Sequence, residues 1–178
     1  MVQDEIEVKY LLYEKGTDYT KKDFLKLYDS IEDLVNKIDE YGKKVTQGYL
    51  SDKVSKNLCD ELNIKPEFEP KESRLRKKVD KYYFTLKGKG KVKRKELERE
   101  IDKEIFEKYF ENTKGNRVMK LRFKESYRNY EIEFDKYINR DLIVAEIEID
   151  SENELKLLPK LGKDIKDDNN YKNRNLAK

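Results

Sequence analysis

Glu5-Ile6-Glu7-Val8-Lys9 alternates charged and apolar residues without a break. A period of two is the signature of a strand. Glu5, Glu7 and Lys9 share one face, while Ile6 and Val8, with Tyr10 continuing the row, share the other. Two carboxylates two residues apart on a strand face can share a hard cation, and a lysine one step further can meet an anion. A strand with one face in water reads the same way, so the weight of this stretch depends on how the rest of the chain repeats it.

The chain repeats it many times. Arg74 and Arg76 share a face, as do Tyr83, Thr85 and Lys87, and Arg94, Glu96, Glu98 and Glu100. Further on come Lys120, Arg122 and Lys124, then Glu131, Glu133 and Asp135, then Glu146, Glu148 and Asp150. The opposite faces are apolar: Leu75, Phe84 with Leu86, Leu121 with Phe123, Ile132 with Phe134, Ile147 with Ile149. A sheet with one face in water mixes charge signs there and includes Ser, Thr and Gln. Here charge fills the polar face on nearly every strand, and whole strands carry one sign. About eight antiparallel strands are enough to close a barrel. The pattern predicts an α+β fold: a closed eight-stranded antiparallel β-barrel, a tunnel with a charged interior, its helices packed outside, over one domain spanning 1–178. An acidic wall suits a divalent metal and a basic wall suits a polyanion.

Between the strands, Lys15-Gly16-Thr17-Asp18 reads as a turn. Thr20 is expected to cap a single amphipathic helix carrying Phe24, Leu27, Tyr28, Ile31, Leu34, Val35, Ile38 and Tyr41, ended by Gly42. Val45–Leu50 reads as a strand, and 52–72 as an irregular or weakly helical excursion broken by Pro66 and Pro70. Gly88–Lys93 is a basic loop without the Gly-Lys-Ser/Thr ending of a phosphate-binding P-loop. Asp102 is placed to cap a helix with Ile105, Phe106, Tyr109 and Phe110. Val118–Phe123 and Tyr130–Tyr137 pair around 126–129, and Leu142–Asp150 is the strongest strand. Ser151 with Glu154 forms a capping box before a helix that Pro159 shortens, and the tail to Lys178 is polar.

Composition removes several classes of function. Of 178 residues, 41 are Lys or Arg and 38 are Asp or Glu, a net charge of only +3. That balance argues against a simple nucleic-acid binder. Charged residues make up 44% of the chain, but the strict patterning argues for order rather than a solvated coil. There is no histidine, which excludes Ser-His triads and most zinc sites. The one cysteine, Cys59, allows no internal disulfide and fits a reducing compartment. Nothing before Gln3-Asp4-Glu5 reads as a signal peptide, and no apolar run approaches membrane length, so a cytoplasmic location without a membrane partner is expected.

With these residues set out, the chain resembles the CYTH superfamily, the triphosphate tunnel metalloenzymes, which include bacterial inorganic triphosphatases, thiamine triphosphatase and class IV adenylyl cyclase. Glu5, Glu7 and Lys9 match the N-terminal Glu-x-Glu-x-Lys signature. Arg74 and Arg76 match the next basic pair, and Thr85-Leu86-Lys87-Gly88 resembles the strand ending in a phosphate-binding lysine. Arg94-Lys95-Glu96-Leu97-Glu98 resembles the Arg-x-Glu-x-Glu strand, and Lys120-Leu121-Arg122 the later basic strand. Glu146-Ile147-Glu148 matches the late acidic pair and Tyr171-Lys172-Asn173 the C-terminal motif. The likeness covers nearly the whole chain, in order. The excursion at 52–72 is longer than in the smallest members of the family.

The resemblance implies metal-dependent hydrolysis of a triphosphate held in the tunnel. Glu5, Glu7, Glu146 and Glu148 would hold one or two Mg²⁺ or Mn²⁺ ions. Lys9, Arg74, Arg76, Lys87, Arg94, Lys120, Arg122 and Lys172 would hold phosphate oxygens and offset charge in the transition state. A water oriented by a carboxylate such as Glu98 or Glu148, with Lys9 beside it, would attack the terminal phosphorus in line. The plain alternative for Glu98, Glu100, Glu131, Lys89 and Lys124 is a salt bridge across the barrel. The expected substrate is tripolyphosphate, thiamine triphosphate or a nucleoside triphosphate, handled by a monomer or homodimer, with RNA 5′-triphosphate ends as the one nucleic-acid candidate. Cyclisation of ATP to cyclic AMP and pyrophosphate, and non-catalytic binding of polyphosphate or nucleotide, stand as alternatives.

Overall fold

A computed structural model describes residues 1–177; Lys178, the last residue of the expected tail, lies outside the described residues. The strands are β1 (Val2–Glu14), β2 (Thr17–Asp18), β3 (Lys43–Tyr49), β4 (Glu72–Lys78), β5 (Lys81–Lys87), β6 (Lys93–Glu100), β7 (Arg117–Tyr127), β8 (Tyr130–Tyr137), β9 (Leu142–Ile149) and β10 (Lys163–Asp164). The helices are α1 (Ile31–Tyr41), α2 (Asp52–Glu61), α3 (Lys103–Phe110) and α4 (Asn173–Leu176), with short 3₁₀ turns between elements. Hydrogen-bonded neighbours run β10-β1-β6-β5-β4-β3-β7-β8-β9, and β9 also pairs with β1. The order returns on itself, so the eight long strands form the closed antiparallel barrel of an α+β fold.

The chain comprises two compact units, neither of them a contiguous stretch: 1–4 with 45–118 and 169–177, and 5–44 with 119–168. In the first, Leu75, Phe84 and Leu86 are fully buried on one face of β4 and β5. They pack with Leu58, Cys59 and Ile64 from α2 and the turn after it, and with Phe106 and Tyr109 from α3. Phe106 lies between Tyr82 and Phe110, with ring centroids 4.9 and 4.8 Å away. Burial, with the Asp60 carboxylate alongside, pushes the Cys59 thiol pKa up, so this cysteine is an inert core residue.

In the second unit, Ile6, Val8 and Leu12 of β1, Ile132 and Phe134 of β8, and Ile143, Ala145 and Ile147 of β9 are buried. So are Leu34 and Ile38 of α1, Phe24, Tyr28, Leu161 and Ile165. The Tyr28 ring meets Phe134 edge-on at 5.7 Å. The alternation read in the sequence is therefore the alternation of the structure in both units. One face of each strand enters an apolar core, and the other carries the charge.

Several local expectations are corrected. The long helix from Thr20 does not form. Thr20 donates both its backbone N–H and its hydroxyl to Asp18 Oδ1, at 2.7 and 2.6 Å, so the hydroxyl is not a helix cap. A single 3₁₀ turn at Phe24–Lys26 follows, and α1 starts only where the Ser30 hydroxyl accepts from the Asp33 N–H at 3.2 Å. The apolar period survives the break: Phe24 and Tyr28, and then Leu34 and Ile38, are all buried. The Lys15-Gly16 turn is a tight hairpin, with φ +47° and +83°, and Thr17–Asp18 already pair back onto β1.

The first half of the excursion at 52–72 is the helix α2, capped by Ser51, whose hydroxyl accepts from the Val54 N–H at 3.3 Å. Asp102 stands at the start of α3 but makes no side-chain capping bond. The Ser151–Glu154 capping box is present, on a 3₁₀ turn with no buried residue rather than on an α-helix. Strand β7 runs to Tyr127, four residues beyond the expected end. Among the described residues no helix is long and apolar enough to cross a membrane.

Gly48 in β3 is required by packing. A Cβ there would overlap the Oγ1, Cβ and Cγ2 atoms of Thr113, itself fully buried and held by bonds to the Phe110 carbonyl and the Arg117 guanidinium. Gly48→Ala is expected to cost about 1–3 kcal/mol, read as a lower urea midpoint with unchanged slope. An unchanged midpoint would mean that the strand yields freely at this position.

Candidate active site

Strand register assembles the charged side chains into one group in each unit. In the first, Arg74 of β4 faces Tyr49 of β3 and Thr85 of β5, and Arg76 faces Gln47 and Tyr83. Glu98 of β6 lies opposite Thr85, and Lys87 lies between Glu72 and Glu96. Glu98 Oε2 accepts from Arg76 Nη2 and from the Thr85 hydroxyl, each at 2.8 Å. Burial raises the Glu98 pKa, but Arg76, the Thr85 hydrogen bond, Arg74 and Lys87 together outweigh it and hold the group below the usual carboxylate range. Lys87 Nζ sits 3.1 Å from Glu96, and Arg94 Nη1 3.6 Å from Glu72. Arg74 is 6% exposed, and its guanidinium comes only to 3.7 Å from Glu98. Lys172 is half-buried at the start of α4.

In the second unit, Asp135 is fully buried and takes two cations at once. Arg122 donates through Nε to its Oδ1 and through Nη2 to its Oδ2, both at 2.7 Å, while Lys120 donates to Oδ2 at 2.6 Å. Arg122 also reaches Glu133 at 2.9 Å and Glu146 at 3.2 Å. Lys9 Nζ lies 3.6 Å from Glu146, its direct neighbour across β1 and β9. Glu7 stands directly opposite Glu148 in the same pairing. Glu5, Lys9, Glu146 and Arg122 are buried, Glu7 half-buried and Glu148 exposed.

Two cations facing one carboxylate explain the titration of the pair. Arg122 and Lys120 hold Asp135 ionised despite its burial. Burial, with the guanidinium of Arg122 alongside, pushes the Lys120 pKa down to about 8 against the pull of Asp135 and Glu146. In the first unit burial works against the Arg74 charge, but Tyr49, Glu72, Glu96 and Glu98 together outweigh it and keep the guanidinium firmly charged.

The carboxylates fit a hard divalent ion in donor type. Glu7 and Glu148, opposite one another in the pairing of β1 and β9, are two carboxylates that a hard cation could share. Among the described residues no group of three or more Asp, Glu or Cys is already gathered to hold a metal. Mg²⁺ is usually held by one or two carboxylates together with substrate phosphates, which such a pair can supply.

The sequence reading named the cations but missed several groups that hold them: Asp135 as the shared counter-ion, Glu133, Glu72 and Glu96 as partners, and Gln47 and Tyr49 beside Arg74. Strand parity is the signal that finds the last two. They alternate with Thr46 and Gly48 on the face that the register assigns to the arginines.

Solved structures with a similar fold include two of NE1496, one described as the inorganic triphosphatase NE1496. One matches at 25% identity over 97% of both chains with a TM-score of 0.53. The other matches at 24% identity over 97% of this chain and 93% of that one, with a TM-score of 0.54. The chain has the CYTH fold. A Bacillus halodurans protein, bh2851, named as a candidate adenylate cyclase, shares this CYTH fold at 16% identity over 88% of this chain and 86% of that one, TM-score 0.53. No family model matches the sequence, and no curated protein matches it at a significant level.

The Lys120 shift has a stability consequence with a definite sign. Between about pH 8 and the ordinary lysine value, the unfolded chain keeps this proton and the folded chain releases it. Stability from this group therefore rises with pH, by about 2 kcal/mol from pH 8 to pH 9.5. Chemical unfolding of the wild type and of Lys120→Met across that window should differ in slope by this amount. Parallel curves would show that Lys120 stays charged.

Proposed function

We propose that the protein is a divalent-metal-dependent triphosphatase that removes the terminal phosphate of a small-molecule triphosphate: tripolyphosphate, thiamine triphosphate or a nucleoside triphosphate. The observation that carries this reading is an opposite charge imbalance in the two groups. Arg74, Arg76, Lys87 and Arg94 meet Glu72, Glu96 and Glu98, and Arg74 shares Glu98 with Arg76, which holds it the more closely. Glu5, Glu7, Glu133, Asp135, Glu146 and Glu148 outnumber Lys9, Lys120 and Arg122. A basic excess asks for a polyanion and an acidic excess for a cation, and a metal–triphosphate complex is both. The inorganic triphosphatase NE1496 has the same fold, which supports the reading.

In this reading Glu5, Glu7, Glu146 and Glu148 hold Mg²⁺ or Mn²⁺, which when bound offsets negative charge on the phosphate oxygens. Lys9, Arg74, Arg76, Lys87, Arg94, Lys120, Arg122 and Lys172 bind the phosphates. Arginine makes paired, directional bonds to phosphate oxygens, whose charge redistributes as the terminal group leaves. Glu98, already accepting from Arg76 and Thr85, is a positioning residue that aims Arg76. Orienting the attacking water falls to Glu148. Arg122 has a double task, since its bonds to Asp135, Glu133 and Glu146 also keep three carboxylates from repelling one another.

Incubation with tripolyphosphate, thiamine triphosphate and ATP, each with Mg²⁺ or Mn²⁺, tests the reading. Free orthophosphate is expected, abolished by EDTA and reduced at least a hundredfold by Glu148→Gln. Cyclic AMP with pyrophosphate from ATP would make the protein a cyclase, and binding without turnover would make it a polyphosphate or nucleotide binder. A second test concerns which cations touch substrate. Arg76→Ala should lower the rate tens to a thousandfold, the effect of losing about 2–4 kcal/mol of transition-state contact, at low and high salt alike. Lys89→Ala and Lys91→Ala, on exposed loop residues, should do little, and that little should fade as salt screens it. Loop variants as damaging as Arg76→Ala at high salt would misplace the phosphates.

A further inference from the structure

Beside Arg74 lies a small buried polar group that the mechanism above leaves unused. Val45, Gln47 and Tyr49 alternate on β3, and the register sets Tyr49 against Arg74 and Gln47 against Arg76. Gln47 is fully buried and Tyr49 nearly so. Gln47 Nε2 donates to the Tyr49 hydroxyl oxygen at 2.9 Å. Two polar atoms in this group are buried without a hydrogen-bond partner: Gln47 Oε1 and Arg74 Nε. Each such atom is costly to leave unsatisfied, and native proteins rarely cluster them without a ligand or ordered water.

The chemistry of the group specifies what it meets. The Tyr49 oxygen accepts from Gln47 and also meets the Arg74 guanidinium, so its own hydrogen points away from both donors and is left to give. Burial and the nearby carboxylate of Glu72 hold the phenol proton on, well above the ordinary tyrosine range, so Tyr49 is a donor at any working pH. Next to it stands a buried guanidinium with an unspent N–H. A neutral O–H and a cationic N–H side by side suit an anionic oxygen. The remaining acceptor, Gln47 Oε1, suits a water of that anion's hydration shell.

We infer that Tyr49 is a further substrate-contacting residue, donating its hydroxyl hydrogen to a phosphate oxygen held by Arg74, and that Gln47 is the positioning residue that aims it. The inference rests on the triphosphatase reading and adds to it an uncharged donor for one phosphate group.

The test is steady-state tripolyphosphate hydrolysis by Tyr49→Phe, which removes the hydroxyl alone, with thermal unfolding of the ligand-free variant alongside. The expected result is a ten- to hundredfold loss in kcat/KM, while the melting temperature without ligand moves by a few degrees at most. Gln47→Leu should show a smaller loss of the same kind, and it carries the test if Tyr49→Phe does not fold. Wild-type kcat/KM in both variants of an active enzyme would overturn the inference and leave the triphosphatase reading standing. So would a loss that follows the melting temperature and disappears when the assay is cooled, since that is a packing role. A wild-type protein that hydrolyses none of the triphosphates would overturn both.

Discussion

Asp135 is fully buried and holds Lys120 and Arg122 together on adjacent positions of one strand face. Much of the second unit depends on this contact. Buried cations are tolerated only when they are paired and hydrogen-bonded, and one carboxylate here serves two of them. The guanidinium is thereby left free to reach Glu133 and Glu146, which would otherwise face each other across β8 and β9 as like charges. In the first unit Glu98 likewise serves Arg76 and Arg74, and it also accepts from the Thr85 hydroxyl. Such networks are poor sources of net stability, because desolvation offsets the attraction. Holding so much charge in place is better explained by a ligand than by folding.

The constraint behind the networks is the period of the strand. With one residue in two committed to an apolar core, the alternate residues share a face whatever their chemistry. Register then decides which of them meet. Arg74 meets Tyr49 and Thr85 because β3, β4 and β5 pair in one frame, and a slip of one residue would send the arginines into the core containing Leu75 and Phe84. The apolar contacts of α2 and α3 on one unit and of α1 on the other therefore fix the charged groups indirectly, by fixing the strands.

This explains what could be read from the sequence. Glu5-Ile6-Glu7-Val8-Lys9 and its later counterparts announce both the strands and the charged faces, because alternation is local. The break between Phe24 and Ser30 could not be read, since Phe24, Tyr28, Leu34 and Ile38 keep a helical period across it, and only the 3₁₀ turn at Phe24–Lys26 and the Ser30 cap reveal the interruption. The partners were hidden for a different reason. Asp135 looks like any third acid in the row Glu131, Glu133, Asp135, until pairing sets it opposite Arg122. Gln47 and Tyr49 carry no charge, so a search for charge passes over them.

The central claim is that the buried cations form a site for a triphosphate. Its most direct test reads binding apart from turnover: the melting temperature of EDTA-treated protein as tripolyphosphate is added, against orthophosphate at matched ionic strength. A ligand that binds only the folded chain stabilises it by an amount that grows with the logarithm of its concentration. The account predicts such a rise with tripolyphosphate, a further rise when Mg²⁺ is restored that Glu148→Gln diminishes, and little response to orthophosphate. A melting temperature indifferent to tripolyphosphate, with and without Mg²⁺, would contradict it.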